Sequence, residues 1–582
     1  MTKRKELEPN KILEGRESSL FTTQFFSLGI LLAILVWLIV VPLAMIFWGS
    51  FRSGPPGVDA FYTIENYIRA FKNANLFRAC YNTLIFGIGS TIISFLGGTF
   101  LAWVTERTDV PFRKVIYAVV LIPIVVPGVL FATSWLFLLN PTIGIVNKFA
   151  SLWFGFEKPI VNAYSMSAMV WAQGVDHFSL PFLLMASAFR SMDPSLEEAA
   201  EAAGASLWTT VRTITLPLLL PASLAAILIT LVRAVETFEV PAVMGIPAGI
   251  SMFATEIWMA VSRSKPADYN LAATFSVGYM LISAVGIYIY HQATAAQGKY
   301  VTVTGKGFRP TRLKLGGWRL PTALFSLFLL SITILLPVIV FIWTSLMPYY
   351  AVPSWDAFSR ITMKNYSYVL TLGSTYEALY NNTIVGLAAA GAGVIFASII
   401  SWVVLRTQIA GRQWLDIVSF LPIAVPGTVM GLALLWLYLT VPIPIYGTLW
   451  ILIVAFMSKY MAFAVRSTHA SLSQISPELE EASHVAGASW FHTFTRITLP
   501  LLVPGLLVGF LFIFSLCFRV LGLPIMLSHT KTRMLPMLIF DLYANGGYEW
   551  LCALGVMMML FLVCVSGLSW FISKKFGIRE DE

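Results

Sequence analysis

Four glutamates are set apart by their spacing. Glu197 and Glu198 open the stretch Leu196 to Pro217, LEEAAEAAGASLWTTVRTITLP, and Glu480 and Glu481 open Leu479 to Pro500, LEEASHVAGASWFHTFTRITLP. In both copies the acids precede small residues, a glycine (Gly204, Gly487), an isoleucine (Ile214, Ile497) and a leucine-proline pair (Leu216-Pro217, Leu499-Pro500) at matching intervals. The chemistry available to such acids is electrostatic: near a helix N-terminus they are favoured by the macrodipole and open to a basic partner. No Ser/His/Asp, paired-carboxylate or zinc-site spacing rises above chance, so no catalysis is expected within this polypeptide. A phosphate-cradling loop needs G-x-x-x-x-G-K followed by Ser or Thr, whereas the candidates read Gly298-Lys299-Tyr300 and Gly305-Lys306-Gly307. Cys80, Cys517, Cys552 and Cys564 lack metal-ligand or redox spacing and read as small hydrophobes.

A second set of charges lies inside apolar stretches: Asp176, Glu236, Glu239, Lys459 and Arg519. An ionisable group in a membrane costs roughly 2.5–3.5 kcal/mol on insertion scales, so each needs a partner or a task. Asp176 corresponds to Lys459 and Glu236 to Arg519 at one offset of 283 residues, so equivalent places carry opposite signs. Salt bridges across a pseudo-twofold axis, closing a pathway, are one expectation. A local partner, such as Arg233 for Glu236 at i, i+3, is the other. Glu236 and Glu239 share a helix face, which suits either a transient station for a hard cation or a network with Arg233 and Arg519. No firm metal site follows.

The elements that must position these residues are membrane helices. The chain has 582 residues, 58% hydrophobic and only 12% charged, with a mean hydropathy of +0.78, far from the soluble norm. The sequence predicts an all-α membrane protein with about twelve spans. They fall near 25–48, 83–105, 114–139, 163–189, 216–242, 269–292, 321–346, 383–405, 414–439, 444–468, 500–527 and 549–573. The first, after Lys3, Arg4, Lys5, Lys11 and Arg16, reads as an anchor rather than a cleaved signal. Lys299, Lys306, Arg309, Arg312, Lys314 and Arg319 place the middle loop in the cytoplasm, and with it both termini and both signatures. The net charge of +9 reads as this topology signal plus contact with anionic lipid headgroups, not as a nucleic-acid surface.

The halves are parallel six-helix repeats. Residues 25–292 form the first and 321–573 the second, joined by a linker at 293–320 and flanked by tails at 1–24 and 574–582. The signatures align at 283, but Pro123, Pro127 and Gly128 match Pro422, Pro426 and Gly427 at 299, as do Asn66 with Asn365, Arg107 with Arg406 and Arg113 with Arg412. The first half therefore holds 16 extra residues, expected in the external loop between Asn140 and Asn162. Within each signature Asp193 and Ser476 suit N-caps, with Pro194 and Pro477 in the first turn. Leu196, Ala199, Ala200 and Ala203, matched by Leu479, Ala482, Ser483 and Ala486, form a narrow face, and Gly204 and Gly487 allow a positive-φ exit.

The pattern E-A-A, three residues, G, nine residues, I-x-L-P resembles the cytoplasmic loop of binding-protein-dependent ABC importer permeases. It is carried by Glu198-Ala199-Ala200, Gly204, Ile214 and Leu216-Pro217, and by Glu481, Ala482, Gly487, Ile497, Leu499 and Pro500, with Ser483 replacing the second alanine. The resemblance implies a type I importer fold and a coupling helix in each half. It also implies two separate ATPase subunits that bind ATP and Mg, a periplasmic substrate-binding protein, and residence in the bacterial inner membrane. This chain would bind no cofactor itself. The fused halves and VETFEVPAVMG from Val235 to Gly245 resemble the ferric-iron permeases, across nearly the whole chain. Thiamine, phosphonate-type compounds or polyamines are the alternative solutes, and an ion-driven secondary transporter the alternative class.

Overall fold

The computed structural model describes residues 28–193, 195–295 and 312–575. Pro194 and most of the linker lie outside them, as do both tails, so the expectations for those segments are not addressed. Among the described residues nine helices are long and apolar enough to cross a membrane, or up to twelve if each of three bent pairs is one span.

In the first half these are α1 (Leu28–Ser50), α2 (Ala74–Arg107), the pair α3 (Arg113–Val125) and α4 (Gly128–Leu139), α9 (Trp208–Glu236), the pair α10 (Pro241–Ala248) and α11 (Phe253–Ser262), and α12 (Tyr269–Ala295). Between them lie α5 (Ile145–Phe154), α6 (Met166–Asp176), α7 (Ser179–Ser191) and α8 (Ser195–Ala202). The second half follows the same order. It holds α13 (Gly316–Ser345), α14 (Gly373–Arg406), the pair α15 (Arg412–Ala424) and α16 (Gly427–Thr440), α17 (Leu449–Leu472), α18 (Glu478–Val485), α19 (Trp490–Arg519), α20 (Leu535–Ala544) and α21 (Tyr548–Lys575). No β-sheet forms among the described residues, only two isolated bridges.

Prolines explain where these helices bend. In LIPIVVPG and FLPIAVPG the residue before the second proline is pushed to extended backbone, with ψ of 126° at Val126 and 117° at Val425. The pairs bend there by 106° and 112°. A subtler signal recurs. Five π-helical turns, Val36–Val40, Val211–Thr215, Pro241–Gly245, Ser331–Leu335 and Phe494–Thr498, each end two residues before a proline: Pro42, Pro217, Pro247, Pro337 and Pro500. A proline has no N–H to donate and its ring crowds the carbonyl four residues back, so widening one turn lets an otherwise regular helix continue. The leucine-proline pair of each signature is thus a device for a π turn at a fixed place.

The halves are interleaved. The C-terminal part of α1 packs on α16 and that of α13 on α4, so each first span reaches into the other half. Trp48 meets Trp436 edge-on at 6.4 Å, and the Tyr350 hydroxyl donates to the Phe137 carbonyl at 3.1 Å. Asn66 bonds the Ser50 and Arg52 carbonyls, and Asn365 those of Ser345 and Met347, stapling the end of α1 and of α13 alike. One equivalence fails: α17 is continuous, whereas its counterpart breaks after Asp176 and restarts at Ser179. The first-half loop holding the 16 extra residues forms α5, pinned by buried Asn147, which bonds the Asn140 and Val161 carbonyls.

Candidate functional site

The two signatures fold alike. Helices α8 and α18 each have eight residues and end on Gly204 (φ +84°) and Gly487 (φ +86°). The Ala205 N–H then donates to Ala200 and that of Ala488 to Ser483, a wrap that satisfies carbonyls left open by the helix end. Ser483, the one departure from the motif, shares a hydrogen bond with Thr493 at 2.9 Å. Leu196 and Leu479 stay 41% and 47% exposed, so the small-residue face keeps an apolar edge open to solvent.

Within each acidic pair the two glutamates part company. Glu198 and Glu481 point outward and are exposed. Glu197 turns inward, ion-pairs with Arg107 at the end of α2 and accepts the Thr215 hydroxyl from the π turn of α9 at 2.6 Å. Glu480 does the same, with Arg406 at 3.3 Å, the Thr498 hydroxyl at 3.0 Å and the Trp402 indole N–H at 3.2 Å. A basic partner from outside therefore finds Glu198 and Glu481, while the first acid of each pair is already engaged. Arg107 and Arg406 were legible as an aligned pair, but only as topology signals; Thr215 and Thr498 carried no signal beyond their place before the leucine-proline pair.

The intramembrane charges converge between the halves, in a crossed arrangement. Lys459 lies 2.5 Å from Glu236, which also faces Arg233 at 3.6 Å. The expected matches, Asp176 with Lys459 and Glu236 with Arg519, are not among the ion pairs within 4 Å of the described residues. For Asp176 and Lys459 the helices differ, α17 running on where its counterpart breaks after Asp176; Glu236 and Arg519 end helices of equal length, and there the guanidinium is taken up by backbone carbonyls instead. Arg519 reaches the other half's proline break, donating to the Pro123 and Val126 carbonyls at 3.0 and 3.4 Å. Lys459 donates to the equivalent Pro422 and Val425 carbonyls at 3.2 and 2.5 Å. Each of these two bends thus turns a pair of carbonyls toward one buried cation, although the Pro422 carbonyl also accepts the Val425 N–H at 3.2 Å.

The Asp176 carboxylate lies 3.9 Å from the His177 imidazole. Glu239 accepts the Leu521 N–H from the other half at 3.0 Å and packs against Gly128, where an added Cβ would come within 3.3 Å of its Cγ. Its counterpart Gly522 packs against Phe238 and Thr428, which an added Cβ would approach to 3.1 and 3.4 Å. A small cavity of about 70 Å³ remains at the seam, lined in part by Arg233, Glu236, Glu239, Thr428 and Tyr460. Both carboxylates of the Glu236 and Glu239 doublet are therefore committed to cations or backbone N–H groups. No group of three or more His, Cys, Asp or Glu able to hold a metal occurs among the described residues.

A family model described as the inner membrane component of binding-protein-dependent transport systems matches residues 389–576, most of the second half. The chain is a multi-pass all-α membrane protein that resembles ABC-importer permeases. Among curated proteins it resembles the ferric transport system permease protein FbpB of Actinobacillus pleuropneumoniae, 26% identical over 564 residues, covering 93% of this chain and 77% of the relative. The putative ferric transport system permease protein FbpB 1 of Haemophilus influenzae is 28% identical over 530 residues, covering 87% and 78%. A shorter match, 28% over 209 residues, covers 35% of this chain and 77% of the putative 2-aminoethylphosphonate transport system permease protein PhnV of Salmonella typhimurium. A solved bacterial ABC transporter involved in the import of alginate aligns with 49% of this chain and all of its own, at 22% identity and a TM-score of 0.39.

Proposed function

We propose that this chain is the membrane subunit of an ATP-driven importer for ferric iron, which a periplasmic binding protein delivers. Two ATPase subunits, which bind ATP and Mg, dock on α8 and α18, one on each. Their closure rocks the halves between outward and inward access, and both termini face the cytoplasm with them. The observation that carries the reading is the paired geometry: two eight-residue helices, each exposing an apolar edge and one outward glutamate and each ending on a positive-φ glycine. A secondary transporter has no use for two such loops. Iron is favoured over a phosphonate-type solute because the ferric relatives match across 93% and 87% of the chain, against 35% for the phosphonate relative.

The seam between the halves is the pathway in this reading, held shut by Glu236 with Lys459 and by Arg519 in its carbonyl cradle. Charges so balanced offer no deep well to a passing cation, which suits a conduit that must release what enters. Purifying the tagged chain from its native host tests the docking. An ATPase should accompany the wild type and be lost from Gly204→Val with Gly487→Val; a wild-type preparation able to transport with no ATPase present would contradict the reading. Uptake should saturate with binding protein loaded with ferric iron and ignore the same protein when empty.

A further inference from the structure

We infer that Glu197 and Glu480 are positioning residues, the fasteners through which force on each exposed helix reaches the membrane spans, and not contacts for the ATPase. The inference rests on the reading of α8 and α18 as docking elements. A two-turn helix in water has no stability of its own. α8 leaves through Gly204, a positive-φ turn closed by the Ala205 N–H on Ala200, with no atom within 4 Å of where a Cβ would sit. The backbone alone would let such a helix swivel. In each half one carboxylate bridges the helix to two spans, and in α18 the Ser483–Thr493 bond adds a tie to α19. Glu197 ties α8 at once to α2, through Arg107, and to α9, through Thr215. Glu480 ties α18 to α14, through Arg406 and Trp402, and to α19, through Thr498.

Three features set these fasteners apart from incidental ion pairs. They are partly sheltered, the second more than the first: Arg107 is 5% and Glu197 26% exposed, Arg406 11% and Glu480 9%, so these charge-assisted bonds are less screened than pairs in open water. They occur twice, although the arginines align at an offset of 299 and the glutamates and threonines at 283, so the 16-residue insertion has left the clamp intact. And the threonine of each sits in a π turn imposed by Pro217 or Pro500. One residue fewer in that turn would swing the hydroxyl by about 100°. The leucine-proline pair, the glycine and the first glutamate of each signature thus form one mechanical unit, while Glu198 and Glu481 are left to meet the partner.

The test uses the complete complex in vesicles with loaded binding protein and ATP, comparing the double variants E197Q/E480Q, T215V/T498V and E198Q/E481Q. Three quantities are read: ATPase co-purified, ATP hydrolysed and solute accumulated per ATP. For E197Q/E480Q the ATPase should co-purify at wild-type stoichiometry and hydrolysis continue. Accumulation per ATP should fall by about tenfold, within the roughly 5- to 150-fold span of ordinary coupling free energies. T215V/T498V keeps shape and both ion pairs, so it folds if the first variant does not, and should show the same uncoupling by about tenfold, in proportion to a lost hydrogen bond to a charged carboxylate. E198Q/E481Q should instead reduce the ATPase recovered and leave the ratio for what remains unchanged. Unchanged accumulation per ATP in T215V/T498V together with loss of bound ATPase in E197Q/E480Q would overturn the assignment and make the inner glutamates docking contacts. A wild-type complex with no ATPase at all would instead defeat the importer reading beneath it.

Discussion

Lys459 illustrates how a charge survives inside a membrane. It is 3% exposed and spends its three donors on Glu236 and on the Pro422 and Val425 carbonyls at the α15–α16 bend. Replacing it with methionine leaves the Glu236 carboxylate with only the longer Arg233 contact. Removing one partner of a buried pair costs on the order of 3–5 kcal/mol, whereas removing both can be close to neutral. Lys459→Met should therefore lower the melting temperature of the purified protein in detergent, and Lys459→Met with Glu236→Gln should recover most of the loss. A single variant as stable as the double would contradict the pairing. The sequence marked Lys459, Glu236 and Arg519 as residues needing partners, because apolar flanks make any charge conspicuous. It could not say which partners, since equivalence under an offset carries no information about distance. The carbonyl cradles were invisible for a different reason: they are backbone groups, exposed only by the geometry of the bend.

At the level of single elements the signatures were almost wholly legible, because capping, positive φ and proline act locally. Gly204 and Gly487 have no atom within 4 Å of an added Cβ, so substitution there meets backbone strain alone. Asparagine tolerates the left-handed region and β-branched residues do not, a difference of about 1–2 kcal/mol. Uptake should therefore be largely kept in Gly204→Asn with Gly487→Asn and lost in the corresponding valine variants. Equal activity in the two would show that the turn is not what the glycines provide. The π turns were not foreseen, although their cause was in view: a proline two positions after an apolar turn reads as a kink until the backbone shows the turn widened instead. Pro217→Ala with Pro500→Ala should relax those turns and lower accumulation per ATP as E197Q/E480Q does. Adding the two changes should bring little further loss, since both undo one clamp.

Taken whole, the molecule is two parallel repeats that exchange their first spans, α1 onto α16 and α13 onto α4. Such an interface does not need the peptide link between the halves. Two polypeptides cut between residues 303 and 304 and expressed together should co-purify through a tag on either one and support uptake; failure to associate would mean that the linker is required for assembly. The duplication, its direction and the placing of the insertion followed from offsets alone. The bent pairs and the short α20 did not, because an apolar stretch of membrane length looks the same whether it runs straight, turns by 106° or re-enters.

The most direct measurement is accumulation of ferric iron by vesicles in which ATP can be supplied on either face separately. The account predicts concentration of iron only when the ATPase is present, ATP is on the face bearing α8 and α18, and loaded binding protein is on the opposite face. Concentrative uptake by the purified chain alone, under an ion gradient and without nucleotide, would contradict it.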